Sequence, residues 1–188
     1  HEAELTWFRT RVSDEIVTAG NVGGRATFAN AGRTSRDGWE ASWRAQWSPQ
    51  WQSTLALTWL DARFDEYQSG AQDFAGNRLP GVPRRNAYAE LVWRWAPAWH
   101  MGLEWRAVGS VFANDANTAE AAGYGVSHLR LGHDAAHGPW RLKAFARIDN
   151  LADKHHVGSV IVNAAGQRFY EPAAGRRFSA GLSLQRHW

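Results

Sequence analysis

The chain has 188 residues, 44% of them apolar, and a formal net charge of +3. That charge is too small, and too free of Lys/Arg runs, to imply a nucleic-acid partner, and the absence of cysteine excludes a disulfide framework or a thiolate metal site. No apolar run approaches the roughly 20 residues of a membrane helix, but barrel strands carry a much weaker signal, so a membrane is not excluded.

The pattern then predicts strand after strand. The expected strands cover residues 4–17, 26–47, 52–64, 85–95, 99–109, 124–133, 140–150 and 177–188. The first is ambiguous, with Leu5 and Trp7 the best candidates for an apolar face and Arg9 an exception to it. In the second, Trp39, Ala41, Trp43, Ala45 and Trp47 alternate with Glu40, Ser42, Arg44 and Gln46. A period of two gives a strand one apolar and one polar face. The fourth sets Ala87, Ala89, Leu91, Trp93 and Trp95 against Asn86, Tyr88, Glu90, Val92 and Arg94, with Val92 a lapse. The fifth sets Trp99, Met101, Leu103, Trp105 and Ala107 against His100, Gly102, Glu104, Arg106 and Val108. In the sixth, Tyr124 and Val126 fall out of phase with Leu129 and Leu131, which predicts a bulge or a displaced boundary. The seventh sets Trp140, Leu142, Ala144, Ala146 and Ile148 against Arg141, Lys143, Phe145, Arg147 and Asp149.

The last strand places Phe178, Ala180, Leu182, Leu184 and Trp188 on one parity, and the sequence stops on that tryptophan. A soluble domain gains little from such an end, because termini usually fray. A transmembrane barrel gains a closing strand with a ring at the membrane–water interface. Arg186 interrupts the apolar parity, but so near the end it snorkels to the headgroups.

Connections alternate in length. Ser48-Pro49-Gln50, Ala96-Pro97-Ala98 and residues 135–139 are tight and contain Pro; residues 65–83, 110–123 and 151–176 are long and rich in Gly, Asn, Asp and Ala. Short turns at one end and long loops at the other belong to transmembrane barrels. Six of the twelve tryptophans, Trp47, Trp51, Trp95, Trp99, Trp140 and Trp188, fall at the short-turn level. They predict a membrane-interface girdle. The polar parity is ionic, with Glu40, Arg44, Glu90, Arg94, Glu104, Arg106, Arg141, Lys143, Arg147 and Asp149. Placed toward lipid, each would cost about 2–4 kcal/mol near the midplane. The expected fold is therefore all-β: an antiparallel transmembrane β-barrel of about eight meandering strands, either part of a larger barrel or closed on itself.

Several motifs add a resemblance. Phe28-Ala29-Asn30-Ala31-Gly32-Arg33 followed by Gly38-Trp39-Glu40, Leu60-Asp61-Ala62-Arg63-Phe64, and Gly76-Asn77-Arg78-Leu79-Pro80-Gly81-Val82-Pro83 occur in that order. Asp149-Asn150-Leu151-Ala152-Asp153-Lys154, Tyr170-Glu171-Pro172 and Gly175-Arg176-Arg177-Phe178 follow. Together they resemble the C-terminal barrel portion of TonB-dependent outer-membrane receptors, the siderophore and vitamin transporters. Locally the motifs are architectural: Asn150 and Asp153 hold a turn, and Pro80 and Pro83 stiffen a re-entering loop.

The resemblance implies a barrel of about 22 strands around a plug domain. Residues 1–188 then form the C-terminal third or so of the barrel, without the plug, in the bacterial outer membrane. With no initiator Met or signal peptide, the chain reads as a mature or excised piece. Expected partners are outer-membrane lipid, a ferric siderophore or similar chelate, TonB through the missing plug, and the outer-membrane assembly machinery at the final strand. Ligand contacts are expected from Tyr67, Gln68, Asn77, Arg78, Asn114, Asp115, Asn117 and Tyr124 in the long loops. No resident cofactor and no metal site are expected. His155-His156 lie in a loop, and His128 and His133 have opposite parity. Ser127-His128 suggests a hydrolase dyad, but adjacent strand residues face opposite ways and no third member is evident, so no enzyme is expected. The alternatives are a complete small outer-membrane barrel, acting as an adhesin, scaffold or lipid-acting enzyme, and a soluble Trp-rich carbohydrate-binding β-domain.

Overall fold

A computed structural model describes residues 1–186, so the expected interfacial Trp188 lies outside the described residues. Three long strands come first: β1 (Glu2–Val22), β2 (Arg25–Gln46) and β3 (Trp51–Glu66). A two-residue hairpin, β4 (Gln68–Ser69) with β5 (Gln72–Asp73), decorates the next loop. Then come β6 (Arg85–Ala96), β7 (Trp99–Val108), the small pair β8 (Val111–Phe112) and β9 (Glu120–Ala121), and β10 (Tyr124–His137). The chain continues through β11 (Trp140–Asp149), a loop pair β12 (Val157–Val160) and β13 (Tyr170–Pro172), and β14 (Arg177–Arg186).

The eight long strands form one antiparallel sheet in the order β1-β2-β3-β6-β7-β10-β11-β14. The sheet is a meander and is not closed, so the expectation of an eight-stranded barrel closed on itself is corrected. Closure needs β14 to pair with β1, and no such pairing forms among the described residues. Asn21 forms a bridge with Ala164, from the loop between β11 and β14.

Strand register explains the two faces. Side chains directly opposite in an antiparallel pair share a face. Leu5, Ala41, Leu57, Ala87 and Ala107 form one row across five strands, and Trp7, Trp39 and Trp59 form the row above it. Among the described residues nothing covers this apolar face: Leu103 is 44% and Leu182 75% exposed. The opposite face carries Arg44, Thr54, Glu90, Glu104 and His128 in a single row. The buried core is correspondingly small. Ala31, Ala62, Phe64, Tyr67, Phe74 and Leu79 cluster where the loop after β3 folds back on the sheet, with Phe64 fully buried.

Two sequence expectations change. The stretch from Tyr124 to His133 pairs with β7 in unbroken register, without the expected bulge. Tyr124 and Val126 face the charged side, and Val126 is buried there. Its apolar character serves packing rather than the uncovered face. The register shifts of the main sheet lie between Thr18 and Gly20, Arg33 and Thr34, and Trp93 and Ala96. The first strand also runs on to Val22, past its expected end, and turns at Gly23-Gly24 with φ of 58° and 80°. Those left-handed angles suit glycine.

Close approach on the charged face uses three further glycines. Phe8 lies across Gly38, His100 across Gly132 and Phe145 across Gly181, and a Cβ at any of the three would come within 2.4 Å of the ring. The rings cover backbone that a glycine leaves bare.

Candidate functional site

The charged face and the long loops enclose a cleft of about 890 Å³. Its floor comes from β3, β6, β7, β10 and β11; Gly81, Pro83 and residues of β12 close it from above. Alternation on each strand sends every second side chain into it.

Ionic side chains on the floor are mostly paired. Arg147 donates two hydrogen bonds to Glu104, at 2.7 and 2.8 Å, and a third to Asp149 at 2.8 Å. His128 Nδ1 lies 2.9 Å from Asp149. One step along the sheet, Arg130 donates to Glu90 at 3.0 Å. Arg106 is different. It stands opposite Tyr88 on one side and Val126 on the other, lines the cleft with Tyr88 and Tyr124, and has no acidic partner among the described residues. A free guanidinium among aromatic rings binds planar or anionic ligand groups through charge-assisted hydrogen bonds and stacking.

The loops above are bound to one another. Arg78 N–H donates to Asn117 Oδ1 at 2.8 Å, and Asn117 Nδ2 donates back to the Arg78 carbonyl at 2.9 Å. Asn77 Nδ2 donates to the Asp115 carbonyl at 2.8 Å. Asn163 joins three segments: its Nδ2 donates to the Thr18 carbonyl at 2.7 Å and to Asp115 Oδ2 at 2.8 Å, while its Oδ1 accepts from Asp115 N–H at 3.1 Å.

This places the loop residues expected from sequence. Asn77, Arg78, Asp115 and Asn117 come together as one cluster. Tyr67 is 3% exposed and belongs to the core. Asn114 accepts from Thr118 N–H and caps its own turn. Gln68 is exposed on the β4–β5 hairpin. Tyr124 lines the cleft and stacks on His156, with ring centroids 4.0 Å apart. Arg106, Tyr88 and Asn163 were not distinguished by sequence. Alternation puts the first two on the polar face, with nothing to separate them from their neighbours there.

Ser127 stands opposite Trp105 on the apolar face, whereas His128 turns into the cleft, so the two are not a dyad. Among the described residues no three His, Asp or Glu converge as metal ligands. At the tight-turn end Trp47, Trp51, Trp95, Trp99 and Trp140 are all exposed, by 38–56%. Trp51 stacks on Trp93 with centroids 5.4 Å apart, and Trp95 on Trp99 at 6.1 Å.

Asp115 gives the loop cluster a pH dependence. Burial, opposed by the hydrogen bond from Asn163, pushes its carboxyl above the usual range. A carboxyl whose pKa rises on folding holds its proton more tightly in the folded state. The cluster is therefore strongest below the ordinary carboxylate pKa and loses stability as pH rises through the raised value. Asp115→Asn is expected to remove this dependence and to strengthen the loops at neutral pH by on the order of 1 kcal/mol. Amide exchange in residues 110–123, corrected for intrinsic rates, checks it: slower exchange in the variant at pH 8 is expected, and faster exchange contradicts the assignment.

A family model described as TonB dependent receptor-like, beta-barrel matches residues 2–151. The siderophore receptor PiuA from Acinetobacter baumannii matches 97% of this chain over 25% of its own, at 20% identity and a TM-score of 0.73. The ferric yersiniabactin uptake receptor FyuA from Yersinia pestis matches 99% of this chain over 27% of its own, at 20% identity and a TM-score of 0.72. The unliganded ferric citrate transporter FecA matches 97% over 29%, at 16% identity and a TM-score of 0.78. This chain spans about a quarter of the length of those structures. At these identities the likeness is one of fold.

Proposed function

The chain belongs to the TonB-dependent receptor β-barrel family, and on that premise we propose that it forms part of the wall of an outer-membrane importer for a metal chelate, most simply a ferric siderophore. Residues 1–188 supply the C-terminal strands of a larger barrel, whose remaining strands pair with the open edges of β1 and β14. The charged face looks into the lumen and toward a plug domain, through which TonB acts. The apolar face meets outer-membrane lipid, with Trp47, Trp51, Trp95, Trp99, Trp140 and Trp188 as its interfacial anchors and the final strand as the mark read by the assembly machinery. Transport is a property of the whole receptor.

The observation that carries the cargo class is Arg106, an unpaired cation beside Tyr88 in a loop-roofed cleft. Ferric chelates are commonly anionic and rich in planar groups, which suits such a site. The external-loop candidates Gln68, Arg78 and Tyr124 complete the contact in this reading. Arg106→Ala in the intact receptor is expected to weaken binding of the cognate ferric chelate about 10–100-fold, the loss of about 1.5–3 kcal/mol for hydrogen bonds to a charged group. Titration of purified receptor against a panel of ferric chelates, with uptake measured in iron-limited cells, reads the change. Unaltered affinity for every chelate that binds the wild type would remove Arg106 from the site.

A further inference from the structure

The apolar face is not evenly studded. Ala87 and Ala89 are its two small positions on β6, and Ala107 stands beside Ala87 on β7. Bulky side chains flank them: Leu55 and Leu57 on β3, and Trp105 on β7. Two hollows result, one above the other. The upper, about 560 Å³, is lined by Trp39, Leu57, Trp59, Ala87 and Ala107. The lower, about 320 Å³, is lined by Trp43, Leu55, Ala89, Leu91 and Trp105. Together they make a groove from the level of Arg85 to that of Leu91, about 20 Å along the strand at ~3.4 Å per residue. With a strand tilt near 40° this is about 15 Å of depth, half the hydrocarbon thickness. The groove is as deep as one leaflet.

Its head is cationic. Arg85 stands opposite Trp59 and lines the upper hollow. The Arg84 guanidinium lies over the Trp59 ring, 5.1 Å from its centroid, and its buried Nε–H has no acceptor. Neither arginine has an acidic partner among the described residues. Arg9 and Arg33, farther round the same end of the sheet, are already engaged by Asp37 and Glu66. Two free cations thus sit above an apolar slot, at the end bearing the long loops, which in transmembrane barrels is the external one.

We propose that this groove is a lipid site: it holds one molecule of the phosphorylated, lipid A-type glycolipid of the outer leaflet. An acyl chain lies over Ala87, Ala89 and Ala107, and a headgroup phosphate is bound by Arg84 and Arg85. The arginine forks match phosphate geometry, and the slot matches a single chain. The assignment rests on the outer-membrane reading above.

Native mass spectrometry of the intact receptor in mild detergent tests it, with lipid A, dephosphorylated lipid A, phosphatidylglycerol and phosphatidylethanolamine added separately. The wild type is expected to retain one lipid A in preference to the other three. Joint Arg84→Ala and Arg85→Ala substitution, and separately Ala87→Trp, which fills the slot and keeps both arginines, are each expected to lower retention about tenfold. Should Ala87→Trp fail to assemble, Ala107→Phe fills the same slot. Equal retention of dephosphorylated lipid A or of phosphatidylglycerol overturns the proposal, as does undiminished retention in both kinds of variant. Tryptophan quenching by brominated lipid in the same preparations separates the two readings. Quenching with no lipid A preference defeats only the lipid site, whereas absence of quenching defeats the membrane placement beneath it.

Discussion

Arginine introduced at Leu103 is expected to destabilise the membrane-inserted receptor by about 2–4 kcal/mol, whereas arginine at Thr54 changes stability by no more than about 0.5 kcal/mol. The two positions lie at nearly one depth: Leu103 stands opposite Leu91, and Thr54 stands opposite the adjacent Glu90. Only the face differs. Leu103 is exposed on the apolar face, so a guanidinium there enters hydrocarbon without a partner. Thr54 lies between Arg44 and Glu90 in the charged row, where an added cation stays on the polar face among charges of both signs. Urea titration of receptor refolded in liposomes reads both stabilities, and surface levels in cells follow the same order. Comparable losses at the two positions would mean that the faces are not distinguished by lipid.

The second large effect belongs to Asn163→Ala. The side chain makes three of the hydrogen bonds joining the β1 edge, the 110–123 loop and the 151–176 loop. Its backbone adds two, donating to the Ala113 carbonyl and accepting from Asn21. Its φ of 52° is left-handed, a conformation that asparagine tolerates and alanine resists. Truncation leaves the buried Asp115 carboxylate without its donor, at about 1–3 kcal/mol, and adds backbone strain of about 1–2 kcal/mol. Because the loss is confined to loops, opening is local rather than global. Hydrogen exchange in residues 110–123 and 151–176 is expected to accelerate at least tenfold, with that of β6, β7 and β10 unchanged. Unchanged loop protection contradicts the role given to Asn163, and uniform acceleration through the strands contradicts its confinement to the loops.

The strands were legible because a single physical contrast repeats along them. Wherever one face is apolar and uncovered and the other ionic, alternation is strict, as from Trp39 to Trp47 and from Trp99 to Ala107. Legibility fails where that contrast ends. Beyond Trp7 the outer positions of β1 become Arg9 and Arg11, while Val17 on the other face packs against the loop core. With apolar and polar roles exchanged, no parity marks the strand as far as Val22. Tyr124 and Val126 mislead for the same reason, since they are apolar residues on the charged face beneath a loop.

The site was less legible than the fold. Chemical type alone singles out loop residues in the sequence, and the structure gives several of them packing duties: Tyr67 and Asp115 are buried, and Asn114 holds a turn. Asn163 reaches Thr18 across 145 residues of sequence, a separation no local pattern encodes. Arg106 was visible only as one charge among many. Its distinction, the lack of an acidic partner among the described residues, emerges once the register has paired Arg147 with Glu104 and Arg130 with Glu90.

The side of the sheet that meets hydrocarbon is the apolar one in this reading. Because this chain has no cysteine, a nitroxide can be placed singly at Leu103, Glu104, Trp105 and Arg106 in turn, and its collisions with oxygen and with a water-soluble paramagnet measured in bilayers. Oxygen contact is expected to be high at Leu103 and Trp105 and low at Glu104 and Arg106, with the aqueous reagent showing the opposite order. Four labels of equal accessibility, or an alternation of reversed sign, would contradict it.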